Sequence, residues 1–312
     1  MRTPFIIIAV MVFIIGSAFV IRFVFDKKPL DEKITLAKSE NLDTDKKDKN
    51  KQESKSTDKP GVNLVNQWNV PEILKEISAI DYIDAKRFAC VQDELGKIFI
   101  YNVESEKIEK EIPFGSAGDY EGLALDGETA YVLRADGQIF EVRSYKSAKT
   151  VVNQYKTHLT EKHDTEGLAF DKANNRLLVS IKGDEPHTDA YKGIYAFDLS
   201  TKKMSKEPIV KIDLNDDMFA AISTGKDKKK KKAPINPSEL AIHPASGEIY
   251  VLDGRQPKLL VMDKSGKLLS LVALEDSAFS QPEGMAFSPD GKLFISNEGT
   301  KKSGNILEIQ VP

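Results

Sequence analysis

Four stretches of the chain repeat one phrase: Glu121-Gly122-Leu123-Ala124, Glu166-Gly167-Leu168-Ala169, Ser238-Glu239-Leu240-Ala241 and Glu283-Gly284-Met285-Ala286, with a fainter fifth copy at Ser78-Ala79-Ile80-Asp81. With Ser78, Glu121, Glu166, Ser238 and Glu283 taken as equivalent, the steps are 43, 45, 72 and 45 residues. A period of this length, filled with short β-rich runs, belongs to radially arranged four-stranded blades and not to helical arrays.

The runs between turn residues support that reading. In the second repeat they are 121–125, 130–134, 138–142 and 150–154, with Asp136-Gly137 as a hairpin signal. The third gives 166–170, 176–180, 193–197 and 208–212, and the fourth 239–242, 248–252, 258–262 and 268–272. The first runs from Ser78 through 87–91, 97–101 and 108–112. The last repeat has only three runs, 283–287, 292–296 and 305–309. An open edge invites aggregation, and a ring removes it by borrowing a strand from the other terminus. Leu64 to Val70 is placed to be that strand. The expectation is an all-β, five-bladed propeller over residues 63–312, with six blades as the alternative because of the 72-residue step. Its surplus, Asp216 to Pro237 with the lysine run 226–232, reads as a long loop with a solvated tip.

From Phe5 to Ile21 there are 17 residues without a charge, and the apolar run resumes from Phe23 to Phe25. As a helix this spans roughly 26 to 32 Å, the thickness of a bilayer core. Gly16-Ser17-Ala18 lies inside the run and not after it, which favours an uncleaved anchor over residues 1–25 above a cleaved signal peptide. Residues 26–62 are too polar to fold alone and read as a flexible tether. The expected location is the cell membrane, single-pass, with the propeller facing the periplasm or exterior. A net charge of −3 with 30% charged residues carries no nucleic-acid bias. Cys90, the only cysteine, excludes an intrachain disulfide and a cysteine-based zinc site.

In a propeller the first strand of each blade lies nearest the axis, so equivalent positions at its start form a ring at one mouth of the channel. That ring is Ser78, Glu121, Glu166, Ser238 and Glu283; two residues earlier stand Glu76, Asp119, Asp164, Asn236 and Gln281. All ten carry an oxygen. The hairpins between second and third strands should open on the same face, bringing Gln92, Asp93, Glu94, Arg134, Lys182, Asp184, Asp253, Arg255, Asn297 and Glu298 to the mouth. Carboxylates gathered in a narrow channel repel strongly and require a counter-charge. An all-oxygen donor set without a histidine cluster suits calcium, with Glu121, Glu166, Glu283, Asp119, Asp164 and Glu76 as ligands. Two other readings stand beside it: each Glu accepts backbone amides of the adjacent blade and staples the ring, or the mouth binds an unidentified small molecule or protein without metal. His243 in its His-Pro turn reads as structural, and His163 beside Asp164 as a packing residue near the mouth. No nucleophile elbow, phosphate-cradling loop or His-Glu-x-x-His motif is present.

Glu76-Ile77-Ser78, Asp93-Glu94-x-Gly96, Asp119-Tyr120-Glu121-Gly122-Leu123-Ala124, Tyr250-Val251-Leu252-Asp253, the run from Gln281 to Gly291 and Ile295-Ser296-Asn297-Glu298-Gly299 together resemble the SdiA-regulated (YjiK-like) family of bacterial envelope proteins. The resemblance covers about 65–311. It implies a β-propeller behind an N-terminal signal or anchor, and calcium at the mouth through Glu121, Glu166 and Glu283; the Ser238-Glu239 order departs from the motif. A wider similarity to propeller phytases and lactonase-like propellers implies the alternative of a calcium-dependent phosphoesterase or lactonase, with Arg134, Lys182 and Arg255 gripping an anion.

Overall fold

The computed structural model describes residues 61–186, 188–222, 235–274 and 277–312. The anchor expected over Phe5–Phe25, nearly all of the tether and the lysine run 226–232 lie outside the described residues. Among the described residues no helix is long and apolar enough to cross a membrane.

In chain order the strands are β1 (Asn63–Asn69); blade I, β2 (Ile77–Asp84), β3 (Arg87–Gln92), β4 (Lys97–Asn102) and β5 (Lys107–Pro113); blade II, β6 (Tyr120–Asp126), β7 (Thr129–Arg134), β8 (Ile139–Arg143) and β9 (Val151–Tyr155). Blade III holds β10 (Thr165–Asp171), β11 (Arg176–Ile181), β12 (Tyr191–Asp198), β13 (Lys203–Met204) and β14 (Val210–Asp213). Blade IV is β15 (Pro237–Ile242), β16 (Ile249–Asp253), β17 (Lys258–Met262) and β18 (Leu268–Ala273), and blade V is β19 (Pro282–Phe287), β20 (Leu293–Asn297) and β21 (Asn305–Gln310). All pairings are antiparallel, in five separate sheets.

The ring is closed as the missing strand requires. β1 pairs with β21, Asn63 opposite Gln310 and Trp68 opposite Ile306, completing blade V. The Tyr101 hydroxyl of blade I donates to Asn69 O at 2.8 Å, tying the closing strand to the next blade. Five blades stand, and the six-bladed alternative is excluded: the long step holds a one-and-a-half-turn helix, α1 (Asp217–Ile222), and no further sheet among the described residues. The fourth strand of blade III departs from the expected 208–212. It is broken into β13 and β14, because Pro208 has no N–H to give to β12.

Strand alternation explains why the second strands read as unbroken apolar runs. On β3, Phe88 and Cys90 pack into a cluster shared with blade V, whereas Ala89 and Val91 pack into one shared with blade II. On β11, Leu177 and Val179 face blade II and Leu178 faces blade IV. Each of the five apolar clusters bridges one pair of neighbouring blades. Burial between blades raises the Cys90 thiol far above its ordinary range, which keeps it protonated.

Candidate functional site at the channel mouth

All five inner strands carry the same irregularity at their start. Tyr120 pairs with Arg134 and Gly122 with Leu133, leaving Glu121 as an extra residue. The same step leaves out Ser78, Glu166, Ser238 and Glu283 in the other blades. These are β-bulges, which interrupt the alternation and re-aim one side chain. The repeat read from the sequence is thus a repeat of bulges, and it fixes Ser238, not Glu239, as the ring residue of blade IV. The glycine after three of the five bulges, Gly122, Gly167 and Gly284, lets the next blade approach: a Cβ on Gly122 would stand 2.9 Å from Glu166 O, and one on Gly284 2.9 Å from Ile80 N.

The expected hairpins open at this same end. Backbone bonds from Asp93 N to Glu76 O, Ala135 N to Asp119 O, Lys182 N to Asp164 O and Glu298 N to Gln281 O tie them to the segments that enter the inner strands. At the centre, Lys182 Nζ donates to Glu166 Oε1 at 2.7 Å, with both side chains largely buried. Lys182 is positioned from below by Lys192, whose buried ammonium donates to Lys182 O at 2.9 Å, to Gly183 O, and to Asp184 Oδ1 at 3.2 Å.

One ammonium serves several acids. Burial drives the Glu121 carboxyl well above the usual range, and Glu166 and the hydrogen-bonded Asp119 push it further. Glu166 is also raised by burial, with only partial relief from Lys182. Glu283 is pushed up to about 7 by burial, eased by Lys182 and opposed by Glu298 and Asp253. At the rim, Asp93 is pushed up to about 6 by burial together with Glu76, Glu94 and Glu298, and Glu298 is raised by burial and Glu76. Burial alone would lower Lys182, but Glu166, Glu283 and Asp164 outweigh it and raise it. The mouth therefore has a deficit of positive charge.

The other sequence candidates differ in exposure and in partner. Glu76, Glu94 and Asp119 are exposed rim residues, and Asp164 is half-buried with a left-handed backbone at φ 51°. Asp253 is fully buried: its Oδ2 meets Lys258 Nζ at 2.8 Å and Asn236 N at 3.0 Å, while Oδ1 accepts Arg255 N and Gln256 N. It clamps its own hairpin, and its charge helps to raise Glu283. Asn297 is likewise buried, donating to Asn305 Oδ1 at 2.9 Å. Arg134 is committed to Asp136 at 2.6 Å and Gln138 at 2.6 Å, and Arg255 is exposed. Two of the three cations expected to grip one anion are already paired, Arg134 with Asp136 and Lys182 with Glu166. His163 takes part in a local turn through Thr160 N, and His243 stacks on Tyr250 and meets Phe287 edge-on.

Two carboxyls act as blade staples, and neither belongs to the ring. Glu239, with no exposed surface, accepts Leu168 N of blade III at 2.7 Å and its own chain at Leu240 N at 2.8 Å. Asp81 accepts Leu125 N of blade II at 2.6 Å. Burial raises Asp81 to about 7 and Glu239 well above its ordinary value, against the backbone N–H groups that favour the charged forms. The signal was present in the repeat: both acids stand where the other copies carry glycine or alanine.

One family profile, described as SdiA-regulated, matches residues 53–301. The chain belongs to the SdiA-regulated family. Among solved structures it is similar to glutaminyl cyclase of Myxococcus xanthus, at 16% identity and TM-score 0.57 over 80% of this chain and 96% of that one. It is also similar to virginiamycin B lyase from Staphylococcus aureus, at 12% identity and TM-score 0.42 over 80% of this chain and 75% of that one. The first likeness shows the propeller fold alone. A search of curated proteins finds no match by sequence.

Proposed function

We propose that this family member is a tethered binding module of the cell envelope whose channel mouth captures a cation. The observation that carries the reading is the charge deficit at the bulges: among the described residues, Glu121, Glu166 and Glu283 share a single ammonium, that of Lys182. Burial without enough counter-charge makes these carboxyls hold protons, and a cation that replaces those protons meets preformed oxygen acceptors. Calcium is the ion whose ligand chemistry suits the donors, through Glu121, Glu166 and Glu283. Among the described residues no three acidic, histidine or cysteine side chains already converge as a metal ion requires, so capture entails Lys182 releasing Glu166. The engagement of Arg134 by Asp136 and of Lys182 by Glu166 favours binding over phosphoester hydrolysis. The hydrophobic segment Phe5–Phe25 and the polar tether after it supply the membrane attachment in this reading, with the propeller outside the cytoplasmic membrane.

Calorimetry on the chelator-stripped full chain is the test. Calcium uptake that is lost in Glu121→Gln with Glu166→Gln supports the reading; no heat and no change in melting temperature overturn calcium as the ligand. Protease added to spheroplasts tests the location, since a propeller resistant until lysis lies inside the cytoplasm.

A further inference from the structure

At the other end of the inner strands, away from the mouth, blades III and IV part over a cleft of about 640 Å³. Five residues of strand separate Glu166 from Asp171, roughly 16 Å, so the cleft is a distinct place on the molecule. Its floor is apolar: Phe170 and Leu178 of blade III, Ile209 and Val210 of that blade's broken outer strand, and Ile242 and Ile249 of blade IV. The opening has an identifiable cause. Between β13 and β14 the chain leaves β12 at Ser205 and returns at Ile209, around Pro208, so the outer ladder of blade III is interrupted beside the cleft, and beyond the break Val210 packs against blade IV. Ile209 is left 38% exposed, one of the few large apolar residues so placed.

The rim carries positive charge that nothing on the described surface neutralises. Lys172, in the turn after β10, and Lys264, in the turn after β17, both line the cleft, and neither ammonium has an ion pair or hydrogen bond among the described residues. Arg176 differs, being satisfied by Asp171 at 2.8 Å. Lys264 is held in place by its stem. Its Cε would lie 2.5 Å from a Cβ at position 247, and Gly247 at φ +70° supplies both the turn and the room for that stem to cross. A volume of this size falls within the range of small-molecule sites, roughly 300 to 1,000 Å³, in which an apolar lining supplies affinity and a few polar groups fix orientation.

We propose that this cleft binds a small apolar carboxylate, its aliphatic or aryl body on the Phe170, Ile209 and Ile242 floor and its carboxylate toward Lys172 and Lys264. The cleft offers the two features that such an amphipathic anion carries: an apolar wall without competing acceptors, and two unsatisfied donors at its edge. A cation has no carboxylate to meet there that is not already paired, since Asp171 is bound by Arg176 and Asn174. A neutral apolar molecule would leave both ammonium groups unused.

The test is photolabelling of the full chain in its own membrane with 4-benzoylbenzoate, beside neutral 4-methylbenzophenone, followed by peptide mapping. The expected result is saturable insertion of the anionic probe into peptides containing Ile209 or Ile242, displaced by octanoate and by a clear margin stronger than insertion of the neutral probe. Reversing both rim charges, Lys172→Glu with Lys264→Glu, should lower anionic labelling by about fivefold or more, since two attractions become two repulsions. Both lysines are exposed in turns, and an unchanged melting temperature shows that the fold is kept. Equal labelling by the neutral probe, indifference to charge reversal, or label found only outside these peptides each overturns the proposal. The comparison of the two probes on the unaltered chain stands even if the double variant is unstable.

Discussion

Two sets of buried carboxyls sit on or beside the inner strands, and they have opposite consequences. Asp81 and Glu239 face inner-edge backbone N–H groups of neighbouring blades, and Asp253 faces a lysine and three N–H groups on its own blade. Glu121, Glu166 and Glu283, thrown out of alternation by a bulge, face one another around Lys182. Burial is similar in the two sets. What separates them is the partner: acids facing donors hold the ring together, while acids facing acids store repulsion that a ligand can relieve.

The largest test of this contrast is to delete a staple. Glu239→Ala leaves two buried N–H groups without an acceptor and is expected to cost about 2 to 4 kcal/mol in urea unfolding. Glu239→Gln keeps a carbonyl acceptor and resembles the protonated acid that burial favours, so its cost should stay within about 1 kcal/mol. A neutral Glu239→Ala would remove the distinction.

Next in size is the response to pH. In the unfolded chain Asp81 ionises near its ordinary 3.8, and in the folded chain near about 7. Between those values the folded state holds a proton that the unfolded state has released, so stability present at low pH falls as pH rises through about 7. Glu283, also held up to about 7, and the raised Glu121, Glu166 and Glu239 act in the same direction. Asp84 and Asp136, lowered by Arg87 and Arg134, have the opposite sign, and their contribution is lost only as pH falls below the ordinary carboxylate range. The urea midpoint should therefore be higher near about pH 5.5 than near about pH 8, and Asp81→Asn should narrow the gap by an amount on the order of 1 to 3 kcal/mol. A midpoint that rises steadily toward pH 8 would contradict the raised values.

The smallest effect is expected within the ring, and its sign is reversed. Glu121→Gln spares the folded chain the cost of holding a proton on a carboxyl that the unfolded chain ionises, and should stabilise the propeller by about 1 kcal/mol or more near pH 8 while weakening cation uptake. Destabilisation would move Glu121 into the staple class.

The fold was legible because its cause is periodic. The Glu-Gly-Leu-Ala phrase marks a bulge, a close approach and two inter-blade core positions, and each recurs once per blade. The three-strand last repeat required a closing strand, and only Leu64 to Val70 preceded blade I. The site was legible in position and less so in role. Asp253 ends its second strand where Arg134 and Asn297 end theirs, yet whether such a residue turns to the mouth or clamps its own hairpin depends on which N–H groups the turn leaves free. Glu239 shows the same limit, since one register step from Ser238 decides whether a carboxyl meets an amide or another acid. The break in the fourth strand of blade III was marked by Pro208; the apolar cleft behind it depends on how two blades diverge, which no local pattern records.

The central claim is that Lys182 occupies, as part of the chain, the place a captured cation takes. Calcium titration of the stripped full chain beside its Lys182→Gln variant addresses it directly. Removing the resident ammonium should tighten calcium uptake by about tenfold, the equivalent of about 1.4 kcal/mol of competition removed, with the stoichiometry unchanged. Weaker binding in the variant, or no uptake by either protein, would contradict the account.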